Sequence, residues 1–140
     1  PRPARGVLRP RRRAHGPHGR DGGRRPMIPK VGNIVIDCAD LDAMAAFWGG
    51  LLGMKTTSAE GDWLDLEPLG GNGPVLSFQR VPERKAVKNR LHFDLDVPDV
   101  QAAGERAAGL GATRAPTPPG ASFQVWHDPE GNEFCFCPLA

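Results

Sequence analysis

The chain has 140 residues, 39% hydrophobic and 24% charged, with 18 Gly and 15 Pro; these are the proportions of a water-soluble globular fold, long enough for one domain or two small halves sharing a core. No apolar run approaches the ~20 residues of a membrane-spanning helix, and three Cys cannot make a disulfide framework, which points to reduced thiols in a cytoplasmic setting. The net charge of +2 is a cancellation: residues 1–26 hold nine Arg against Asp21 alone, whereas residues 27–140 hold nine bases against fifteen acids.

Residues 1–26 contain five Pro, five Gly and only Val7 and Leu8 as sizeable apolar side chains. Such a segment buries too little surface to offset its ordering entropy, so a disordered basic tail is expected. A phosphate-binding arm is the functional alternative. No aromatic is interleaved for base stacking and no folded basic motif follows, so nucleic acid is not expected as a partner. Met27 opens the globular composition, and the tail reads as an extension upstream of it or a dispensable appendage. The single domain is placed at residues 27–140.

The first element is a strand over 33–38, where Ile34, Ile36 and Cys38 share one face and Asn33, Val35 and Asp37 the other. A helix follows, with Asp40 as N-cap, Leu41, Met44, Trp48 and Leu51 at helical spacing, and Leu52-Gly53 as its end. Phe47 and Trp48 read as core or dimer contact. The stretch 56–58 is a weak extra strand. Trp63 to Glu67 alternates as a strand, Gly70-Gly71-Asn72-Gly73 is a hairpin loop, and Val75 to Gln79 is a second strand.

The same order then repeats. A strand over 91–97 places Leu91, Phe93, Leu95 and Val97 on one face, with His92, Asp94 and Asp96 on the other. Asp99 caps a helix carrying Val100, Ala103, Ala107 and Leu110 in the positions of the first helix's apolar stripe, ending at Leu110-Gly111. Phe123 to His127 is a strand, Asp128-Pro129-Glu130-Gly131-Asn132 a turn and Glu133 to Cys137 the last strand. The chain is one unit written twice, at about 30–85 and 88–140. The fold class is α+β: two βαβββ modules whose mixed sheets curl, with helices on the convex side. The uncovered polar strand faces would then enclose a hollow for a small molecule.

Several residues on those faces carry chemistry. His92-x-Asp94 sets an imidazole and a carboxylate on one strand face; His92 could act as general acid or base, or orient a ligand by hydrogen bonding. With His127 on another strand, the pair could form a two-histidine, one-carboxylate metal triad. Trp63, Phe123 and Gln79 share the parity of a ligand wall, although ordinary packing competes for the same residues. Cys135 and Cys137, at i and i+2 on one strand, have poor disulfide geometry and read as small buried hydrophobes.

In Asn33 to Met54, Pro74 to Glu83, Lys88 to Asp99 and Asp128 to Cys137, the chain resembles the vicinal oxygen chelate superfamily of glyoxalase, bleomycin-resistance and extradiol dioxygenase proteins, above all its small glyoxalase-like branch. The resemblance implies paired βαβββ modules, a U-shaped sheet, a small-molecule cleft and a homodimer. The family's metal positions fall on Asn33, on His92, on Cys135, and on one of Val75, Ser77 or Gln79. That set holds one His, one thiol and no acid, so the inherited metal site looks broken. The function expected is binding of a small organic molecule without a metal, by sequestration or mild acid/base chemistry through His92. Asn33, Trp63, Ser77, Gln79, Asp94, Phe123 and Cys135 are the ligand contacts. The alternative is a metal-dependent lyase or dioxygenase using His92 with Asp94, His127 or Cys135, and a divalent metal is its cofactor.

Overall fold

A computed structural model describes residues 26–139. The chain divides into two units, Pro1–Val31 and Gly32–Ala140. Of the first, only residues 26–31 are described; they form no helix or strand and expose Met27, Ile28 and Val31. The expectations for the Arg-rich tail lie outside the described residues. Among the described residues no helix is long and apolar enough to cross a membrane.

The second unit runs β1 (Asn33–Cys38), α1 (Leu41–Leu52), β2 (Thr56–Glu60), β3 (Trp63–Pro68), β4 (Val75–Arg80), β5 (Phe93–Val97), α2 (Val100–Gly109), β6 (Thr113–Arg114), β7 (Gln124–His127) and β8 (Glu133–Pro138). Two four-stranded sheets result, ordered β1-β4-β3-β2 and β5-β8-β7-β6. In each, the opening strand pairs in parallel with the closing one, and the other neighbours are antiparallel. The duplicated α+β architecture is therefore present, with β2 and β6 as short outer strands.

Local chemistry explains the boundaries. Asp40 and Asp99 each accept an N–H three residues on, from Ala43 and Ala102, at 3.0 Å, satisfying a donor that a helix start leaves orphaned. Gly53 ends α1 at φ 66°, a left-handed conformation open to glycine. The second helix stops one residue early: Gly109 is its last residue, Leu110 caps it, and Gly111 takes φ 112°. Leu91 corrects the expected strand face. The strand begins at Phe93, and Leu91 is 66% exposed, not beneath a helix.

Both modules feed one core. Phe47 and Trp48 of α1, each 1% exposed, reach the second module's sheet: the Trp48 ring meets Phe93 at 5.5 Å and Phe134 at 5.1 Å, edge-on. Aromatic contacts of this geometry add to the area they bury. Polar clasps surround the seam. Trp48 Nε1 donates to Asp128 Oδ2 at 3.1 Å. Asp128, itself buried, accepts from Glu130 and Asn132 N–H and so shapes the turn predicted there. The same turn holds Glu130 over the start of α1, where its carboxylate accepts from Ala39 and Asp40 N–H, the helix end that favours negative charge. At the far end, Arg106 of α2 donates to the Leu51 and Gly50 carbonyls, two orphan acceptors of α1.

Candidate functional site

Strand register decides which side chains share the uncovered faces. In module 1, Val35 and Asp65 flank Ser77, while Asp37 and Trp63 flank Gln79. In module 2, Asp94 and Val125 flank Cys135, and Asp96 lies beside Cys137. The alternate residues, among them Leu76, Phe78, Phe134 and Phe136, go into the core.

The face of module 1 is tied together by hydrogen bonds. Asn33 Nδ2 donates to Ser77 Oγ at 2.8 Å, and Ser77 Oγ donates to Asp65 Oδ1 at 2.6 Å. Trp63 Nε1 donates to the same oxygen at 2.8 Å, and Ser58 Oγ reaches Oδ2 at 2.9 Å. Asp65 is 1% exposed and Ser77 0%, a burial that a carboxylate tolerates when several donors surround it. Sequence reasoning proposed Asn33, Trp63 and Ser77, and the structure brings all three together. It missed Asp65, the residue that joins them. The available signal was an acid with the parity of Trp63, set between Leu64 and Leu66.

The face of module 2 is open. His92 Nε2 lies 3.3 Å from Asp94 Oδ1, with side chains 44% and 59% exposed. Ligand atoms of His92, Asp94 and Cys135 all lie within 4.8 Å of one another. Burial pushes the Cys135 thiol up, and the Asp94 carboxylate, which it hydrogen-bonds, pushes it further. Cys137 is raised by burial and by Asp94 and Asp96. His127 pairs across the sheet with Glu133 and stands outside the three-residue cluster. Glu133 receives Asn89 N–H and Lys85 Nζ, each at 2.9 Å. Although burial alone would raise it, these donors hold its carboxyl at about 2.

Phe123 goes elsewhere. It precedes β7 and lines a cavity of about 620 Å³ beside the start of α2, with Val100, Arg114 and Pro118. Asn33, Trp63, His92 and Cys135 do not line it. The strand begins at Gln124, so Phe123 lies outside the ladder that would have held its side chain to the parity of Val125 and His127.

The donor set bears on whether a divalent metal fits. An imidazole, a thiol and a carboxylate within reach of one another suit a borderline cation. At the aligned positions module 1 adds the Asn33 amide and the Ser77 hydroxyl, weak ligands already bonded to each other, and the Asp65 carboxylate beside them is buried among its own donors, Ser58, Trp63 and Ser77. The fit is therefore to the module 2 cluster alone.

Comparisons with known proteins agree with this geometry. The family model described as Glyoxalase-like domain matches residues 33–137. Among solved structures, a glyoxalase/bleomycin resistance/dioxygenase family enzyme from Burkholderia phytofirmans is similar with TM-score 0.66 and 19% identity, over 80% of this chain and 100% of that one. The fosfomycin resistance protein FosX from Mesorhizobium loti is similar with TM-score 0.61 and 18% identity, over 79% and 92%. FosX from Listeria monocytogenes, complexed with Mn(II) and 1S,2S-dihydroxypropylphosphonic acid, is similar with TM-score 0.65 and 16% identity, over 79% and 93%. No curated protein matches. The duplicated βαβββ modules, their parallel opening and closing strands and the match across 33–137 together establish that the chain belongs to the glyoxalase-like domain family.

Proposed function

We propose that residues 27–140 act as one domain that binds a small organic molecule against the polar faces of its two sheets, without a resident metal, and holds it or assists proton transfer through His92. The exposed pairing of His92 with Asp94 beside the Cys135 thiol carries this reading. A carboxylate on one ring nitrogen fixes the imidazole and leaves the other nitrogen for a ligand. Asn33, Trp63 and Gln79 supply the wall from module 1, and Ser77, expected as a ligand contact, is buried behind it and holds Asn33. Phe123, in its separate cavity, is left out of this site. The reading includes a homodimer in the cytoplasm. Its support is three thiols without a disulfide and apolar side chains left exposed at Val35, Val87 and Leu91.

One observation favours a second reading. The His92, Asp94 and Cys135 cluster would hold a borderline divalent cation, which would supply Lewis-acid polarisation of a ligand oxygen. Binding would require the Cys135 thiol to lose its proton, against the upward push of burial and of Asp94.

Elemental analysis of protein purified without a histidine tag separates the readings. Substoichiometric metal, together with a panel of small organic molecules that raises the melting temperature of wild type but not of His92→Ala, supports the first. One tightly held metal per chain, lost in His92→Ala, replaces it with the second.

A further inference from the structure

The hydrogen-bond chain in module 1 has a direction that is forced from one end. Ionised, as its three surrounding donors favour, the Asp65 carboxylate can only accept. Ser77 therefore spends its single proton on Asp65, and its oxygen can serve Asn33 only as an acceptor. Asn33 must then donate through Nδ2, which fixes the amide and turns its Oδ1 away from Ser77. Among the described residues no donor reaches that Oδ1. The same carboxylate consumes the Trp63 indole N–H and the Ser58 hydroxyl, so Trp63, half-buried, has only its ring surface left to offer.

We infer that Asp65 is a positioning residue that turns the module 1 wall into an acceptor surface with an aromatic face, and that the ligand this selects is a planar organic cation bearing N–H donors, of the amidinium type. The inference rests on the proposal that the polar faces bind a small organic molecule. Charge on those faces agrees with it. Their strand positions include Asp37, Glu60, Asp94 and Asp96 and carry no Lys or Arg; the two lysines that reach them do so at module 2, where Lys85 is paired with Glu133 and Lys88 lies near Cys135. The donors that remain on the module 1 wall are the second Nδ2 hydrogen of Asn33 and the Gln79 amide. An anion would meet carboxylates and few donors there. A flat cation gains Asn33 Oδ1, the Trp63 ring and the carboxylates together.

Three probes of one shape and different charge test this: benzamidine, benzamide and benzoate, titrated into 15N-labelled protein and followed at the indole Nε1–H resonance of Trp63. Benzamidine is expected to bind about tenfold or more tightly than the other two, and to weaken as salt is raised. In Asp65→Asn the new amide can donate to Ser77, the chain can reverse, and the preference is expected to shrink to about twofold with a shifted Trp63 resonance. Ser77→Ala keeps the Trp63–Asp65 bond but releases Asn33. It should leave the indole resonance in place and still lose part of the preference, and Ser77→Thr should restore it. Should benzamide or benzoate bind as well as benzamidine, or should the preference survive in both Asp65→Asn and Ser77→Ala, the inference is overturned while the cleft reading stands. Failure of all three probes to bind overturns the inference, whereas the cleft reading falls only if the wider panel also leaves the wild-type melting temperature unchanged.

Discussion

The two modules share strand order and register, yet their exposed faces are opposites. In module 1 the central closing-strand residue, Ser77, lies between Val35 on the outside and Asp65 on the inside; in module 2 its counterpart, Cys135, lies between Asp94 on the outside and Val125 on the inside. Each module thus gives that residue one Asp neighbour and one Val neighbour, from swapped strands. Topology turns the swap into a difference in chemistry. β3 is an inner strand, flanked by β4 and β2, so its Asp is sealed among donors; β5 is the edge of its sheet, so its Asp meets solvent beside His92. Duplication preserves backbone pairing, and where the acid enters decides whether the face is a locked wall or an open surface.

The comparison presupposes that both faces hang on one core, and the largest effect tests that. Trp48→Ala should cost about 3–5 kcal/mol, as for a buried aromatic removed from a tight core. Urea unfolding should show one transition for both modules; two separate transitions would dissolve the shared core. Next in size, Asp65→Ala should cost about 2–3 kcal/mol, because Ser77, Trp63 and Ser58 lose their acceptor in a buried setting. Asp94→Ala, on the exposed edge, should stay within about 0.5 kcal/mol. Equal losses from the two would erase the contrast.

Acid should reveal a third difference. The carboxyl of Glu133 is held at about 2 against a starting value of 4.5, so the unfolded chain binds its proton first. Its stabilisation is full above about pH 4.5 and is lost as pH falls towards 2, on the order of 2 kcal/mol. Lys85→Met should flatten part of that slope in melts across the interval, the Asn89 N–H retaining the rest; an unchanged slope would remove Lys85 from the account. The smallest effect is local. Because Asp94 raises the Cys135 thiol, Asp94→Asn should speed alkylation of Cys135 by iodoacetamide at pH 8 several-fold. Cys38, buried and pushed up to about 12 by burial and the nearby Glu130 and Asp37 carboxylates, should stay unmodified in both proteins. Equal Cys135 rates would mean that Asp94 does not govern the thiol.

Much of the fold could be read from the chain because its signals are local. The capping Asp40 and Asp99, the left-handed Gly53, the two apolar helix stripes and the Asp128–Asn132 turn each act within a few residues, and the repeat doubles every signal. Parity along β1, β3, β4 and β8 likewise brought Asn33, Trp63, Ser77 and Cys135 to the polar faces. Long-range facts were out of reach. Asp65 resembles any acid in an alternating strand until the sheet sets Ser77 and Ser58 beside it. Phe123 kept its parity on paper, but the strand starts one residue later. Leu91 was counted with a strand that begins two residues beyond it, and the two-residue β6 leaves too short a pattern to detect.

Sequence by itself determined the duplication, the element order and the inward and outward sides of most strands, since side-chain alternation and helix capping are properties of neighbouring residues. Only the tertiary structure decided which acid is sealed and which is exposed. That depends on whether a strand lies inside its sheet or at its edge, and strand order is set by pairing between segments far apart in the chain.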